Sequence, residues 1–146
     1  MKSLVGRSGK LLLLLIFLTL SVSGVKADQD RVATLFKEGY VLYQQHLASK
    51  ALIKFKEAAK LGHTEAAYYA GNIIRQDYTY ITTESEQYYR QAAEGGDIYA
   101  MLRLAQGSSV CGTLRECDYD REAWLERAIE TALPMAKEGD TEAMMA

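Results

Sequence analysis

Ala58-Ala59-Lys60-Leu61-Gly62-His63-Thr64-Glu65-Ala66 aligns with Ala92-Ala93-Glu94-Gly95-Gly96-Asp97-Ile98-Tyr99-Ala100 at a constant offset of 34 residues. Upstream, Phe55 aligns with Tyr89 and Ala51 with Ser85 at the same offset. A third copy, Ala136-Lys137-Glu138-Gly139-Asp140-Thr141-Glu142-Ala143, lies 43 residues beyond the second. Recurrence on this scale marks a repeat architecture, in which each unit buries its apolar face only by stacking on the next.

Each copy reads as a B helix, a glycine stop and the A helix of the following unit. Gly62, Gly96 and Gly139 fall where a chain leaving a helix needs a positive φ, which glycine adopts without a Cβ penalty. Thr64, Asp97, and Asp140 or Thr141 are expected to cap the next helix by accepting from its free N–H groups. Further starts are Asp28 or Asp30 for the first helix, Thr83-x-x-Glu86 as a capping box, and Asp118 or Asp120 for the last B helix. Alanine pairs at 58–59 and 92–93 are small enough for close helix approach, and connections this short imply antiparallel neighbours.

Gly39, Ala51, Phe55 and Ala58 have the tetratricopeptide spacing, with alanine, aromatic and alanine 12, 16 and 19 residues beyond the glycine. Later units carry Ala66-x-x-x-Ala70-Gly71, Tyr88-Tyr89-x-x-Ala92-Ala93 and Trp124-Leu125-x-x-Ala128. This set resembles the Sel-one-like repeat (SLR) family, relatives of the tetratricopeptide repeats, over about residues 30–146. The resemblance implies an all-α fold: a right-handed α-solenoid of antiparallel helix pairs, about three units long. It also implies an adaptor for protein partners, in bacteria often one of the cell envelope.

Three features depart from that pattern. The A-to-B loop at 77–83 lacks glycine and carries Tyr78 and Tyr80, and the next such loop holds Cys111 and Cys117. The last B helix is longer by seven residues, about two helical turns, which keeps its packing face in phase. Pro134 within it removes the bond to Glu130, so a kink or break is expected there. The sequence stops one turn into another A helix, at Ala143-Met144-Met145-Ala146, an end without the polar cap a repeat array needs. A truncated longer protein is the expectation.

The N-terminus sets the compartment. Residues 1–10 hold Lys2, Arg7 and Lys10 and no acid, residues 11–20 are apolar except Thr19, and Ser-Val-Ser-Gly-Val-Lys-Ala follows. Charged, apolar, then small is the order of a secretory signal peptide, here residues 1–27 with cleavage after Ala27. The apolar core is about half the roughly 20 residues a bilayer span requires, so no membrane span is expected in the mature protein. The mature domain, 28–146, would be periplasmic or secreted. Four of the 17 basic residues and none of the 19 acidic ones leave with the signal, taking the net charge from −2 to −6. A mildly acidic domain without a basic run argues against nucleic acid and anionic lipid as partners. In an oxidising compartment Cys111 and Cys117, with five residues between them, are expected to form a disulfide.

The chain carries no G-x-S-x-G, H-E-x-x-H, P-loop or dinucleotide fingerprint, and no metal-ligand spacing links its cysteines to His46 or His63. No catalytic residue, cofactor or metal is therefore expected, and enzyme activity is disfavoured. Binding residues follow from the resemblance. Aligning Gly39, Gly71 and Ala105 places Tyr40, Asn72 and Gln106 at one equivalent position of the concave face formed by A helices in tetratricopeptide-like folds. Tyr43, Tyr68, Arg75 and Tyr99 flank them, with Phe36, Tyr68 and Leu102 also readable as core. Tyrosine and arginine dominate interface energetics. The leading expectation is an exported adaptor that binds a protein or peptide partner. Alternatives are a periplasmic immunity protein neutralising a delivered toxin and, less favoured, a β-lactam-binding or cell-wall enzyme. Export predicts that intact mass of protein recovered from the envelope begins at Asp28; recovery of uncleaved chain from the cytoplasm would contradict it.

Overall fold

The computed structural model describes residues 28–76, 78, 81–106 and 120–146. The chain divides into two compact units, Met1–Thr34 and Leu35–Ala146. Of the first, residues 28–34 are described, and they are helical. The second begins with helical residues 35–44, here α1. It continues with α2 (Ala48–Lys60), α3 (Thr64–Arg75), α4 (Thr83–Glu94), α5 (Ile98–Ala105), α6 (Arg121–Lys137) and α7 (Thr141–Met145). Among the described residues the fold is all-α, and from α2 to α7 each helix packs on the next. The expected signal peptide (residues 1–27), Tyr80 and the expected Cys111–Cys117 disulfide lie outside the described residues.

The repeat signature is a double cap. At the end of α2 the N–H of Gly62 donates to Ala59 O (2.9 Å) and that of His63 to Ala58 O (3.0 Å). The same two bonds close α4 through Gly96 and Asp97, and α6 through Gly139 and Asp140. This Schellman geometry needs a left-handed residue, and the three glycines take φ of 93°, 98° and 91°. The residue after each glycine then caps the next helix: His63 Nδ1, Asp97 Oδ1 and Asp140 Oδ1 accept from Ala66, Ala100 and Ala143 N–H. A two-residue Gly-X element thus ends one helix and starts another. The α1-to-α2 turn has the same bonds with His46 at φ 60°, a conformation non-glycine residues adopt at some cost.

The core is rich in alanine, with Phe55 and Tyr89 as its largest fully buried side chains beside Ile81, Met101 and Leu104. Ala51, Phe55, Ala58 and Ala59 of α2 and their counterparts Ser85, Tyr89, Ala92 and Ala93 of α4 are all buried. Phe55 and Tyr89 fill the space opposite two glycines. A Cβ on Gly39 would sit 3.0 Å from the Phe55 ring, and one on Gly71 would sit 3.0 Å from that of Tyr89. Burying each ring stabilises by about 1.5–3 kcal/mol, and the bare facing backbone lets it seat at that distance. Gln91 of α4 donates to Ala59 O (2.6 Å), a second bond to the carbonyl that already accepts from Gly62 N–H.

Two caps differ from expectation, and a proline is accommodated. The α3 cap is His63, not Thr64, because the imidazole occupies the position of Asp97 and Asp140. The α4 cap is Thr82 instead of Thr83: Thr82 Oγ1 accepts from Ser85 N–H (3.1 Å), and Glu86 goes inward at 4% exposure. Asp97, Asp120 and Asp140 cap as expected. Residues 121–137 form one helix through Pro134, without the break. The proline lies in the last turn, and the one carbonyl it deprives belongs to exposed Glu130, where water can substitute. At 17 residues against 13 and 12 for α2 and α4, α6 is longer by four or five residues and not the expected seven, and it fully buries only Ala128.

A valine at Gly96 would be forced to φ near 98°. Gly96→Val is expected to destabilise by more than about 1 kcal/mol in chemical denaturation, with nothing nearby for the added side chain to gain. A variant as stable as the parent would refute the double-cap account.

Candidate functional site

The four A helices α1, α3, α5 and α7 bring most of the expected binding residues onto adjoining surface, as two sections related by the repeat. The first is aromatic. Tyr69 of α3 stacks on Phe55 at 5.0 Å and meets Tyr43 (5.3 Å), Tyr40 (5.7 Å) and Phe36 (6.1 Å) of α1. Burial, reinforced by the Tyr40 and Glu65 beside it, raises the Tyr69 phenol well above its ordinary range, so it stays a neutral donor. Tyr40 remains 38% exposed at the rim. Phe36 is half-buried and stacks on the His63 imidazole at 4.3 Å.

The second section uses the same positions with different chemistry. Tyr68, Asn72 and Arg75 of α3 stand where α1 has Phe36, Tyr40 and Tyr43; Tyr89 and Arg103 stand where the preceding unit has Phe55 and Tyr69. The buried Tyr89 hydroxyl donates to Asn72 Oδ1 at 2.8 Å. Arg75 and Arg103 both lie close enough to act on it electrostatically. Burial raises the Tyr89 phenol, while both guanidinium groups pull it back down. Arg75 Nε is buried without an acceptor, which costs roughly 1–3 kcal/mol unless something supplies one. Among the described residues neither Arg75 nor Arg103 forms an ion pair; the three that occur involve Lys54, Lys56 and Arg90.

Beside this section lies a cleft of about 230 Å³, lined by Tyr68 of α3, by Tyr99, Leu102 and Arg103 of α5 with Gln106, and by the last two residues at α7. Tyr68 and Tyr99 face each other across 6.2 Å, and the Tyr99 hydroxyl donates to the Glu142 carbonyl (3.1 Å). Glu65, Asp97 and Glu142 gather at the opposite, N-terminal ends of these helices. Burial, then the mutual repulsion of these acids, raises the Glu65 carboxyl; burial raises that of Asp97 against its backbone hydrogen bonds. The A-helix surface therefore has an acidic margin, an aromatic middle and a cationic margin.

No family model matches the chain, and comparisons with curated proteins and with solved structures likewise return no match.

Of the residues singled out from sequence, Tyr68, Tyr99 and Gln106 line one cleft, Tyr40 and Tyr43 join the aromatic section, and Arg75 joins the cationic one. Asn72 is the exception to free exposure: its amide oxygen is held by Tyr89, so it shapes the section from within. Gln106 closes α5 by its backbone and is exposed. Phe36, Tyr68 and Leu102 are partly buried against the core, so the core and surface readings both describe them. Tyr69, Tyr89, Arg103 and His63 were missed. The repeat offset carries Tyr69 to Arg103 and Phe55 to Tyr89, so reading both sections position by position would have found three of the four.

His63 makes the site sensitive to pH. Its Nδ1 must be unprotonated to accept from Ala66 N–H (3.2 Å), and burial holds its pKa below the usual value. The unfolded chain therefore takes up this proton first, and the His63 contribution to stability is lost as pH falls from about 6.5 through the lower folded pKa. Glu65 and Asp97 have raised values and act in the opposite sense, so the comparison must be with a variant. His63→Asn keeps a cap without a titrating group. Between pH 7.5 and 5 the melting temperature of the parent should fall relative to this variant; parallel curves would exclude the role.

Proposed function

We propose that this chain is an exported helical-repeat adaptor that binds a protein or peptide partner on the surface formed by its A helices. On this reading α1–α2, α3–α4 and α5–α6 are antiparallel pairs of a right-handed α-solenoid of SLR type, and α7 begins a further unit. The observation that carries the proposal is the arrangement of side chains across α1, α3 and α5. An aromatic section continues into a cleft lined by Tyr68, Tyr99 and Gln106, with two arginines lacking carboxylate partners among the described residues. Rings held on rigid helices lose little entropy when a partner docks, and tyrosine and arginine are the residues that anchor interfaces. Acidic mature charge disfavours nucleic acid and anionic membrane surfaces as the partner.

Substitution separates this surface from the loops. Tyr40→Ala with Tyr99→Ala should leave helicity intact and weaken capture of the partner from envelope extract by about 2 kcal/mol or more. The control is alanine at Tyr78, 50% exposed, together with alanine at Tyr80. Loss of capture in the loop variant with full capture in the A-helix variant would move the site to the loops.

A further inference from the structure

Resting on the A-helix binding surface above, we infer that its second section is a carboxylate receptor: Arg75 and Arg103, ordered around the Tyr89 hydroxyl, take an acidic group of a peptide whose aromatic side chain packs in the first section. The argument begins with the unequal halves of the repeat. At five equivalent positions the first section has Phe36, Tyr40, Tyr43, Phe55 and Tyr69, and the second has Tyr68, Asn72, Arg75, Tyr89 and Arg103.

Arg75 and Arg103 stand at the positions where the first section brings Tyr43 and Tyr69 to 5.3 Å of each other, both against Phe55, so two like charges share one place, and neither is neutralised by an ion pair among the described residues. Repulsion of that kind is relieved by an anion. Guanidinium presents its N–H groups as a planar fork that matches the two oxygens of a carboxylate. The side chains around it already have fixed tasks. Asn72 Oδ1 accepts from Tyr89, which keeps the amide oxygen away from an incoming anion. Arg75 Nε is a buried donor still lacking an acceptor, and Arg103 opens on the cleft beside Tyr68 and Tyr99. Helix-dipole complementarity explains an arginine in the last turn of each helix; it does not explain why both converge on one buried hydroxyl. The acids Glu65 and Glu142 lie at the opposite margin and keep the field across the surface polarised, so an acidic group is drawn to one side only.

Packed helices lie about 8–10 Å apart, which an extended peptide spans in roughly three residues. The probe is therefore acetyl-Ala-Phe-Ala-Ala-Glu-Ala-amide. It is compared with its glutamine twin and with a third peptide, glutamine in place of glutamate and a free C-terminal carboxylate. The isotope-labelled full-length protein is titrated while the Arg Nε–H and tyrosine ring resonances are followed. The expected result is that the glutamate probe binds about tenfold or more tighter than its twin and shifts the Arg75 and Arg103 resonances. Arg103→Gln should abolish that difference while leaving the twin's affinity unchanged. Tighter binding of the third peptide instead assigns the receptor to a chain terminus. Equal binding of glutamate and glutamine probes overturns the carboxylate receptor and leaves the A-helix surface standing. No shift of any tyrosine or arginine resonance with any of the three peptides overturns both.

Discussion

The packing of α1 to α4 is arranged around the contact between a bare glycine backbone and the face of an aromatic ring. Gly39 admits Phe55 and Gly71 admits Tyr89, and a methyl group at either glycine would lie 3.0 Å from the ring, which would have to give by a few tenths of an ångström. These rings are the largest fully buried side chains, and the alanines around them let the helices close to that distance. A core so rich in alanine buries little area per residue. The two rings therefore provide a large part of what holds α1 to α4 together, and their seats fix how the A helices sit on the B helices.

The change from Phe55 to Tyr89 then has a consequence at the surface. A buried phenol needs partners, and the position equivalent to Tyr40 becomes Asn72 to accept its proton. Arg75 and Arg103 complete the set. One hydroxyl added to the core accompanies the change of three surface-facing positions from aromatic to polar or cationic. The binding chemistry proposed for this face is in that sense an outgrowth of packing: a scaffold duplicated by repeat, with one copy turned polar from the inside.

The fold was legible because its punctuation is local. Gly62, Gly96 and Gly139 mark helix ends that no other residue type fills without strain, and the acids after two of them mark the next starts. Capping was misread where residue type misled: histidine is an unusual cap at position 63, and Thr82 stands beside an equally suitable Thr83. Pro134 failed to break α6 because the effect of a missing N–H depends on whether the orphaned carbonyl can reach water, which sequence does not state. The site was half legible. Helical spacing put Tyr40, Tyr43, Tyr68 and Tyr99 on one surface, since the facing of side chains on a helix follows from period alone. Tyr69 and Arg103 lie one position to the side, against the B helix, and their contacts exist only once three helices are assembled. Asn72 looked exposed because its partner, Tyr89, is 17 residues away on another helix.

The central claim is that the glycine–ring contact governs the packing, and a double-mutant cycle tests it most directly. Gly71→Ala, Tyr89→Leu and the pair are compared by chemical denaturation. Adding the methyl opposite an intact ring should be destabilising, since the ring must give way at 3.0 Å, and the penalty should largely vanish once the ring is gone. A coupling energy of about 1 kcal/mol or more between the two substitutions is the predicted result. Additivity within about 0.3–0.5 kcal/mol would contradict it, and with it the premise that the ring's seat on Gly71 sets the arrangement of the binding surface.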